Sequence, residues 1–420
     1  MSATPCVVDG RLANPAILQR GPLARALAAL DGAGEQTRLV GGAVRDLVRG
    51  APPGDFDLAT TATPDVTTRR ARAAGFKVFP TGIEHGTVTV LIDGAPFETT
   101  TLREDIETFG RHATVRFGRD FRADALRRDF TINALSLDGS GRVYDYCGGL
   151  EDLAAGRVRF IGDARQRIRE DFLRILRFFR FSARFASGPL DAEGFSASIA
   201  ERDGLSLLSR ERVRAELLKL LVADRAAEVV EAMAETGLLA SLFAGLADSA
   251  RLQRVVRVEA RRDEAPDPML RLAALGVNVR EDSERLRERL RLSNAEGGRL
   301  DAIARACEAL HGLVNPPSLG DLRILLFERG RQGARDAITF LEIDAGVAAD
   351  PARFASAYRF VSDTPPPQLP FGGADILARG FAPGQRVGAA LKRLQALWIR
   401  AGFPREPEVL ARLLDEATRE

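Results

Sequence analysis

The sequence predicts an α+β unit followed by an all-α remainder, and three observations predict it. Short β-like runs (Thr87 to Ile92, Phe97 to Leu102, Val143 to Tyr146), parted by Gly and Asp turns, all fall before about Gly162. From Ala164 onward such runs largely vanish, and Leu, Ala, Arg and Glu recur at helical spacing. Breaks at Gly204, Gly237, Pro266 to Pro268 and Pro316-Pro317 punctuate this helical part. The expected divisions are a head over 1–163, a helical neck over 164–235, a helical body over 236–362 and a helical tail over 363–420. Pro365 to Pro367 open the tail, where Val387 to Arg400 reads as one amphipathic helix carrying the only tryptophan, Trp398.

Composition narrows the class. A chain of 420 residues with 45% hydrophobic content is long enough for two or more compact units with buried cores. No run of about 18 uncharged apolar residues is present, and Met1 to Gly10 lacks a basic segment followed by an apolar one, so no membrane association and a cytoplasmic location are expected. Cys6, Cys147 and Cys307 are odd in number and far apart, which argues against a disulfide partner and against a zinc site built on paired cysteines. His85, His112 and His311 are isolated. A net charge of +2 says little about nucleic acid. Lysine is confined to Lys77, Lys219 and Lys392 among 60 basic residues; base composition of the genome explains that, and so does a use for forked phosphate contacts.

Chemistry concentrates in the first half. Leu39-Val40-Gly41-Gly42-Ala43-Val44-Arg45-Asp46 is followed by Asp55-Phe56-Asp57. On a strand, side chains two apart share a face, so Asp55 and Asp57 would point one way while Phe56 packs behind. Two carboxylates together suit Mg2+, a hard cation that can activate an attacking hydroxyl and stabilise leaving pyrophosphate. Gly41 and Gly42 let backbone approach a triphosphate, and Arg45 would help neutralise it. The segment Gly41 to Asp57 resembles the opening motif of the class II tRNA nucleotidyltransferase and bacterial poly(A) polymerase family, within the polymerase-β-like nucleotidyltransferase superfamily. The resemblance implies a polymerase-β-like head followed by helical neck, body and tail.

Later segments extend the resemblance. Thr87 to Ile92, an Asp93-Gly94 turn and Phe97 to Thr101 predict a hairpin that offers Glu98 as a third catalytic carboxylate; an exposed strand residue would read the same way. Thr81 to Thr87 is similar to the family's loop before that strand, with His85 read as structural. Arg127-Arg128-Asp129-Phe130-Thr131-Ile132-Asn133-Ala134 matches the second family signature, which implies nucleotide contacts from Arg128, Asp129 and Asn133. Between these lies Arg103 to Phe121, polar and without clear period, read as a mobile loop. In the family a flexible loop here accompanies addition of the terminal A, although the usual Asp-Gly-Arg-Arg run is replaced by Phe109-Gly110-Arg111-His112. Tyr144 to Leu153 is similar to a third motif, implying a hinge at Gly148-Gly149.

Gln166 to Phe185 predicts one helix whose core face holds Ile168, Phe172, Ile175, Leu176 and Phe179. Asp171 and Arg174 lie three residues apart on its other side, where an acceptor and a donor together could hydrogen-bond a base edge. An intrahelical salt bridge is the alternative. Glu170-Asp171-x-x-Arg174 resembles the family's base-selecting motif, in which side chains replace a template; Phe172 stands where the family often has Pro or Ala. Arg177 and Arg180 are then candidates for phosphate. Ser209 to Leu217 is similar to a fifth, scaffolding motif opened by the capping Ser209. Arg285, Arg287, Arg289 and Arg291 are candidates for the tRNA body, or form a solvated face with Glu284 and Glu288.

The family implies addition of C, C and A to the tRNA 3′ end from CTP and ATP. Poly(A) polymerase, a CC-only or A-only enzyme and a non-catalytic RNA-binding protein stay open as alternatives, as does oligomeric state. The larger members' phosphohydrolase domain, with adjacent His and Asp, is not expected, since no histidine here is followed by Asp.

Overall fold

A computed structural model describes residues 7–13, 16–109 and 112–419, so Cys6, Gly110 and Arg111 lie outside the described residues. The chain divides into two compact units, Met1–Glu216 with Ala223–Val229, and Leu217–Val222 with Val230–Glu420.

The first unit is built on a seven-stranded mixed sheet. Its strands are β1 (Thr37–Val40), β2 (Phe56–Thr60), β3 (Lys77–Gly82), β4 (Thr87–Ile92), β5 (Ala95–Thr101), β6 (Ser136–Leu137) and β7 (Val143–Tyr144). Their order across the sheet is β7-β6-β1-β2-β5-β4-β3. β2 is central, antiparallel to β1 and parallel to β5. The expected hairpin of β4 and β5 forms, and Asp93 and Gly94 both take positive φ (51° and 83°), the requirement of a tight two-residue turn. One face of the sheet buries Leu39, Leu58, Val88, Val90 and Phe97 against Leu23, Leu27 and Leu30 of the helix Pro22–Leu30 and Ala71 of the helix Pro64–Ala73. Phe56 stacks on Phe97 at 5.2 Å within this layer. Alternation then turns Asp57 and Glu98 to the opposite face.

Two sequence expectations give way here. Arg103 to Phe121, read as a loop, carries regular elements among its described residues. Arg103–Phe109 and His112–Phe117 pair antiparallel, from Arg103 opposite Phe117 to Phe109 opposite His112, and Phe121–Leu126 is a helix capped by Asp120. Arg103, Glu104, Asp105 and Glu107 crowd the start of this stretch with charge and hide the strands, which backbone pairing defines. The single helix expected over Gln166 to Phe185 is two, α1 (Ala164–Glu170) and α2 (Leu173–Phe185), broken where Asp171 adopts extended angles (φ −156°, ψ 106°). Asp171 Oδ1 accepts the backbone N–H of Leu173 at 3.1 Å, a local bond that competes with helix continuation. Of the expected core face, Ile168, Ile175, Leu176 and Phe179 are fully buried, joined by Phe178 and Phe181; Phe172 is half-buried.

The second unit is helical. Its longest element, Leu319–Ala345, is kinked at Gly330, whose φ of 66° is open to glycine. Leu322, Leu326, Ile338, Leu341, Phe354 and Val361 form one core there, and Ile376, Ala390, Leu394, Leu414 and Ala417 another. Arg299 is gripped by Asp336 through two bonds of 2.9 Å and by Asp267 at 3.0 Å. The helix carrying Trp398 runs Gln385–Arg400, with the indole N–H donated to the Pro404 carbonyl at 2.9 Å. Arg285 pairs with Asp282 at 2.6 Å and Arg287 donates to Asn294 at 2.8 Å.

Candidate active site

The sheet sets three side chains in one row. Val40 of β1 lies opposite Asp57 of β2, and Asp57 lies opposite Glu98 of β5. Asp55 sits in the bend just before β2, outside the strand, yet close enough for its charge to act on Asp57. Desolvation raises the Asp57 carboxyl above its ordinary range; Glu98 and Asp55 raise it further, and Arg128 pulls it down. Such crowding of like charge is what a cation would relieve. Among the described residues, no three His, Cys, Asp or Glu side chains close around one point as a finished cage. The chemistry of the donors still fits Mg2+, which is commonly bound through one or two carboxylates with the remaining ligands from water and phosphate.

The two Gly- and Arg-rich signatures meet beside this row. Gly41 takes φ 73°, and a Cβ there would lie 3.1 Å from Arg128 Nη1. The missing side chain lets the Arg128 guanidinium lie against backbone at the start of the helix Gly42–Val48. Asp124 positions that guanidinium, accepting Arg128 Nε at 3.1 Å and Arg127 Nη2 at 2.6 Å. Burial raises the Asp124 carboxyl, but the two arginines outweigh it and hold it below its usual range.

Arg45, Asn133 and Asp129 form a buried polar floor. Arg45 donates to Asp46 Oδ1 at 3.0 Å and to Asn133 Oδ1 at 2.6 Å, and its guanidinium lies 4.0 Å from the centre of the Phe185 ring. Burial lowers the Arg45 guanidinium, with Asp46 opposing. Asn133 in turn donates to Asp129 Oδ1 at 3.2 Å, and Asp129 Oδ2 accepts Arg177 Nε at 2.7 Å. This chain of contacts carries the second signature onto α2. Arg177 keeps about a third of its side chain open (32%), whereas Arg180 keeps 13% and lies 2.7 Å from Glu216 as an ion pair without hydrogen-bond alignment. Burial lowers Arg180 and Glu216 opposes that effect.

Asp171 and Arg174 are held by separate partners. Arg212 donates to Asp171 Oδ2 at 2.7 Å, while Arg174 Nη1 donates to Glu170 Oε2 at 2.5 Å and to the Arg167 carbonyl at 2.9 Å. Phe172 wedges against Gly204, where a Cβ would lie 2.0 Å from the ring. Gly149 is likewise pressed onto the second signature, since a Cβ there would meet the Thr131 carbonyl at 2.3 Å. Gly149 thus serves close packing at the start of the helix Gly149–Ala154, while Gly148 caps that helix with a positive φ of 76° and open space around it. The side chain of His85 lies outside the described residues.

Sequence reasoning missed the supporting shell: Asp46, Asp124, Arg212 and Glu216. Asp46, Arg212 and Glu216 stood inside quoted motifs, and Asp124, three and four residues before the Arg pair, carried helical spacing as a signal.

A mixed sheet that sets Asp57 beside Glu98, next to Gly41-Gly42 and Arg128, defines a nucleotidyltransferase. The comparisons with known proteins narrow the class. Residues 37–159 match the poly A polymerase head domain, and residues 190–249 match the probable RNA and SrmB-binding site of polymerase A. The mitochondrial CCA tRNA nucleotidyltransferase 1 of Mus musculus is 33% identical over 89% of this chain and 85% of its own. The CCA-adding enzyme of Limosilactobacillus fermentum is 31% identical over 88% and 90%. The Bacillus stearothermophilus CCA-adding enzyme in complex with CTP superposes with a TM-score of 0.73 at 29% identity, covering 94% of this chain and 98% of that one. The chain belongs to the CCA-adding tRNA nucleotidyltransferase family. Among the described residues no helix is long and apolar enough to cross a membrane.

Proposed function

We propose that this enzyme adds C, C and A to the 3′ end of tRNA from CTP and ATP, without a nucleic-acid template and with release of pyrophosphate. The observation that carries this reading is the contact of Arg177 with Asp129, which joins the base-selecting helix to the triphosphate signature within one unit. Full-length similarity to CCA-adding enzymes supports it.

In this reading Asp55 and Asp57 hold Mg2+, with Glu98 beside them as the third catalytic carboxylate. Bound there, the metal supplies Lewis acidity toward the 3′ hydroxyl and neutralises charge on the phosphates. Gly42 and Arg128 face the triphosphate, and Arg177 adds a partly open guanidinium. Arg45, Asp129 and Asn133 act from the buried floor, orienting Arg128 and Arg177 and lending positive charge from behind. Arg180, half-buried and paired with Glu216, fixes α2 in place. Asp171 and Arg174 choose the base, one accepting and one donating. The division into head (1–163), neck (164–235), body (236–362) and tail (363–420) belongs to this reading, with the body and tail holding the rest of the tRNA. A cytoplasmic location fits the free thiols of Cys147 and Cys307, while the mouse relative is named as mitochondrial.

Poly(A) polymerase is the second reading, favoured by the match of residues 37–159 to the poly A polymerase head domain. A tRNA ending before CCA, offered CTP alone, separates the two. Incorporation of C supports CCA addition; extension with ATP alone into a homopolymer supports poly(A) synthesis.

A further inference from the structure

The Asp171 carboxylate is gripped at both oxygens, Oδ1 by the Leu173 N–H and Oδ2 by Arg212. We propose that Arg212 is a positioning residue for base selection, fixing the edge that Asp171 presents to the incoming nucleotide. The inference rests on the reading of Asp171 and Arg174 as the protein's substitute for a template.

Asp171 stands at a break between helices, where its backbone is extended and a side chain has more room to turn than inside a helix. The Leu173 N–H alone leaves rotation about the Cβ–Cγ bond. A second, charge-assisted bond from Arg212 removes it. Arg212 is itself well placed to impose an orientation. It lies in the helix α3 (Arg210–Leu221), and one turn further along that helix Glu216 is buried against Arg180 of α2. α3 therefore touches α2 through Glu216 and the preceding break through Arg212, two charged contacts spaced i and i+4 on one helix face. Arg174 takes its orientation from Glu170 and the Arg167 carbonyl, so the two base-reading groups are set independently.

The direction of the effect follows from the bases. Cytosine N4 and adenine N6 are amino donors, whereas uracil O4 and guanine O6 are acceptors at the matching edge. An acceptor that cannot turn away suits C and A and repels U and G. Released from Arg212, the carboxylate can swing aside and the repulsion weakens, so discrimination should fall more than catalysis.

Arg212→Met, Arg212→Lys and Asp171→Ala, with the double variant Arg212→Met/Asp171→Ala, test this on the full chain with tRNA lacking its 3′ end. The readouts are kcat/KM for CTP, ATP, UTP and GTP, and Tm. Arg212→Met should lower discrimination of C and A against U and G by about tenfold, the order expected for one charge-assisted hydrogen bond. Its Tm should stay within about 2 °C of wild type, because the side chain is half exposed (49%). Arg212→Lys should restore part of the selectivity, and the double variant should select no worse than Asp171→Ala alone. Unchanged selectivity in Arg212→Met, or an equal loss for all four nucleotides, overturns the inference while leaving the template reading intact if Asp171→Ala is unselective. Wild-type selectivity in Asp171→Ala removes the template reading first, and this inference with it. Should Arg212→Met not fold, Arg212→Gln carries the same test.

Discussion

Asp57 stands between Val40 and Glu98 with its carboxyl raised by desolvation and by its acidic neighbours. A raised carboxyl means that the folded state holds the proton more tightly than the unfolded chain does. Stability therefore falls as pH rises from the unfolded-state value through the raised folded-state value, and the full cost is present at neutral pH. Asp57→Asn should consequently raise the Tm of the metal-free protein at pH 7 by about 1–3 °C while lowering turnover about a thousandfold or more. A lower Tm with retained turnover would contradict the metal-holding role. Gly41 was legible as a phosphate-loop glycine, but its reason is more particular: it clears space for Arg128. Gly41→Ala combines a left-handed φ with a Cβ 3.1 Å from Arg128 Nη1. We expect a loss of about 1–2 kcal/mol in stability by denaturant titration, and a raised KM for nucleotide, from that substitution.

The helix break at Asp171 and the hairpin of Arg103–Phe109 with His112–Phe117 are the two places where pattern and structure part. Hydrophobic period identified α2 because its apolar face is long and regular. It could not see a break that rests on one side chain capturing one backbone N–H. Period failed at the hairpin for a different reason, since the charged run from Arg103 to Glu107 displays no apolar alternation to read. The β4–β5 hairpin was readable, because Asp93-Gly94 names its turn type. Phe172 was placed on the core side, but its partner Gly204 lies in the 3-10 helix Arg202–Leu207, which no local spacing links to it. Gly204→Ala should force the Phe172 ring out of place, costing about 1–3 kcal/mol and loosening nucleotide selection through the adjacent Asp171. In a Phe172→Ala background the same substitution should be close to neutral; equal costs in both backgrounds would show that the two residues are not coupled.

The change from a mixed sheet to helices was evident from where the β-like runs stop. The first unit, however, runs on through helices to Glu216 and Ala223–Val229, a boundary that no change of pattern marks. The motifs located the chemistry because Gly, Asp and Arg in them answer to backbone room and charge, which sequence displays directly. Long-range clamps were invisible, as with Arg299 between Asp267 and Asp336. Burial lowers that guanidinium, but its bonds to Asp336 and Asp267 outweigh burial and raise it above its ordinary value. Arg299→Leu would leave the buried Asp336 uncompensated, and denaturant titration should show a loss of about 2–4 kcal/mol. If body and tail hold tRNA through arginine, affinity should drop steeply with salt; a flat salt response would argue against phosphate contacts.

The most direct test uses purified protein, Mg2+ and a tRNA transcript ending before CCA, with CTP and ATP supplied separately and together and the products resolved to the nucleotide. CTP alone should add two residues, both nucleotides together should add three and stop, and Asp55→Ala should add none. A homopolymer grown from ATP alone, or no extension by wild-type protein, would contradict assignment of this chain as a CCA-adding enzyme.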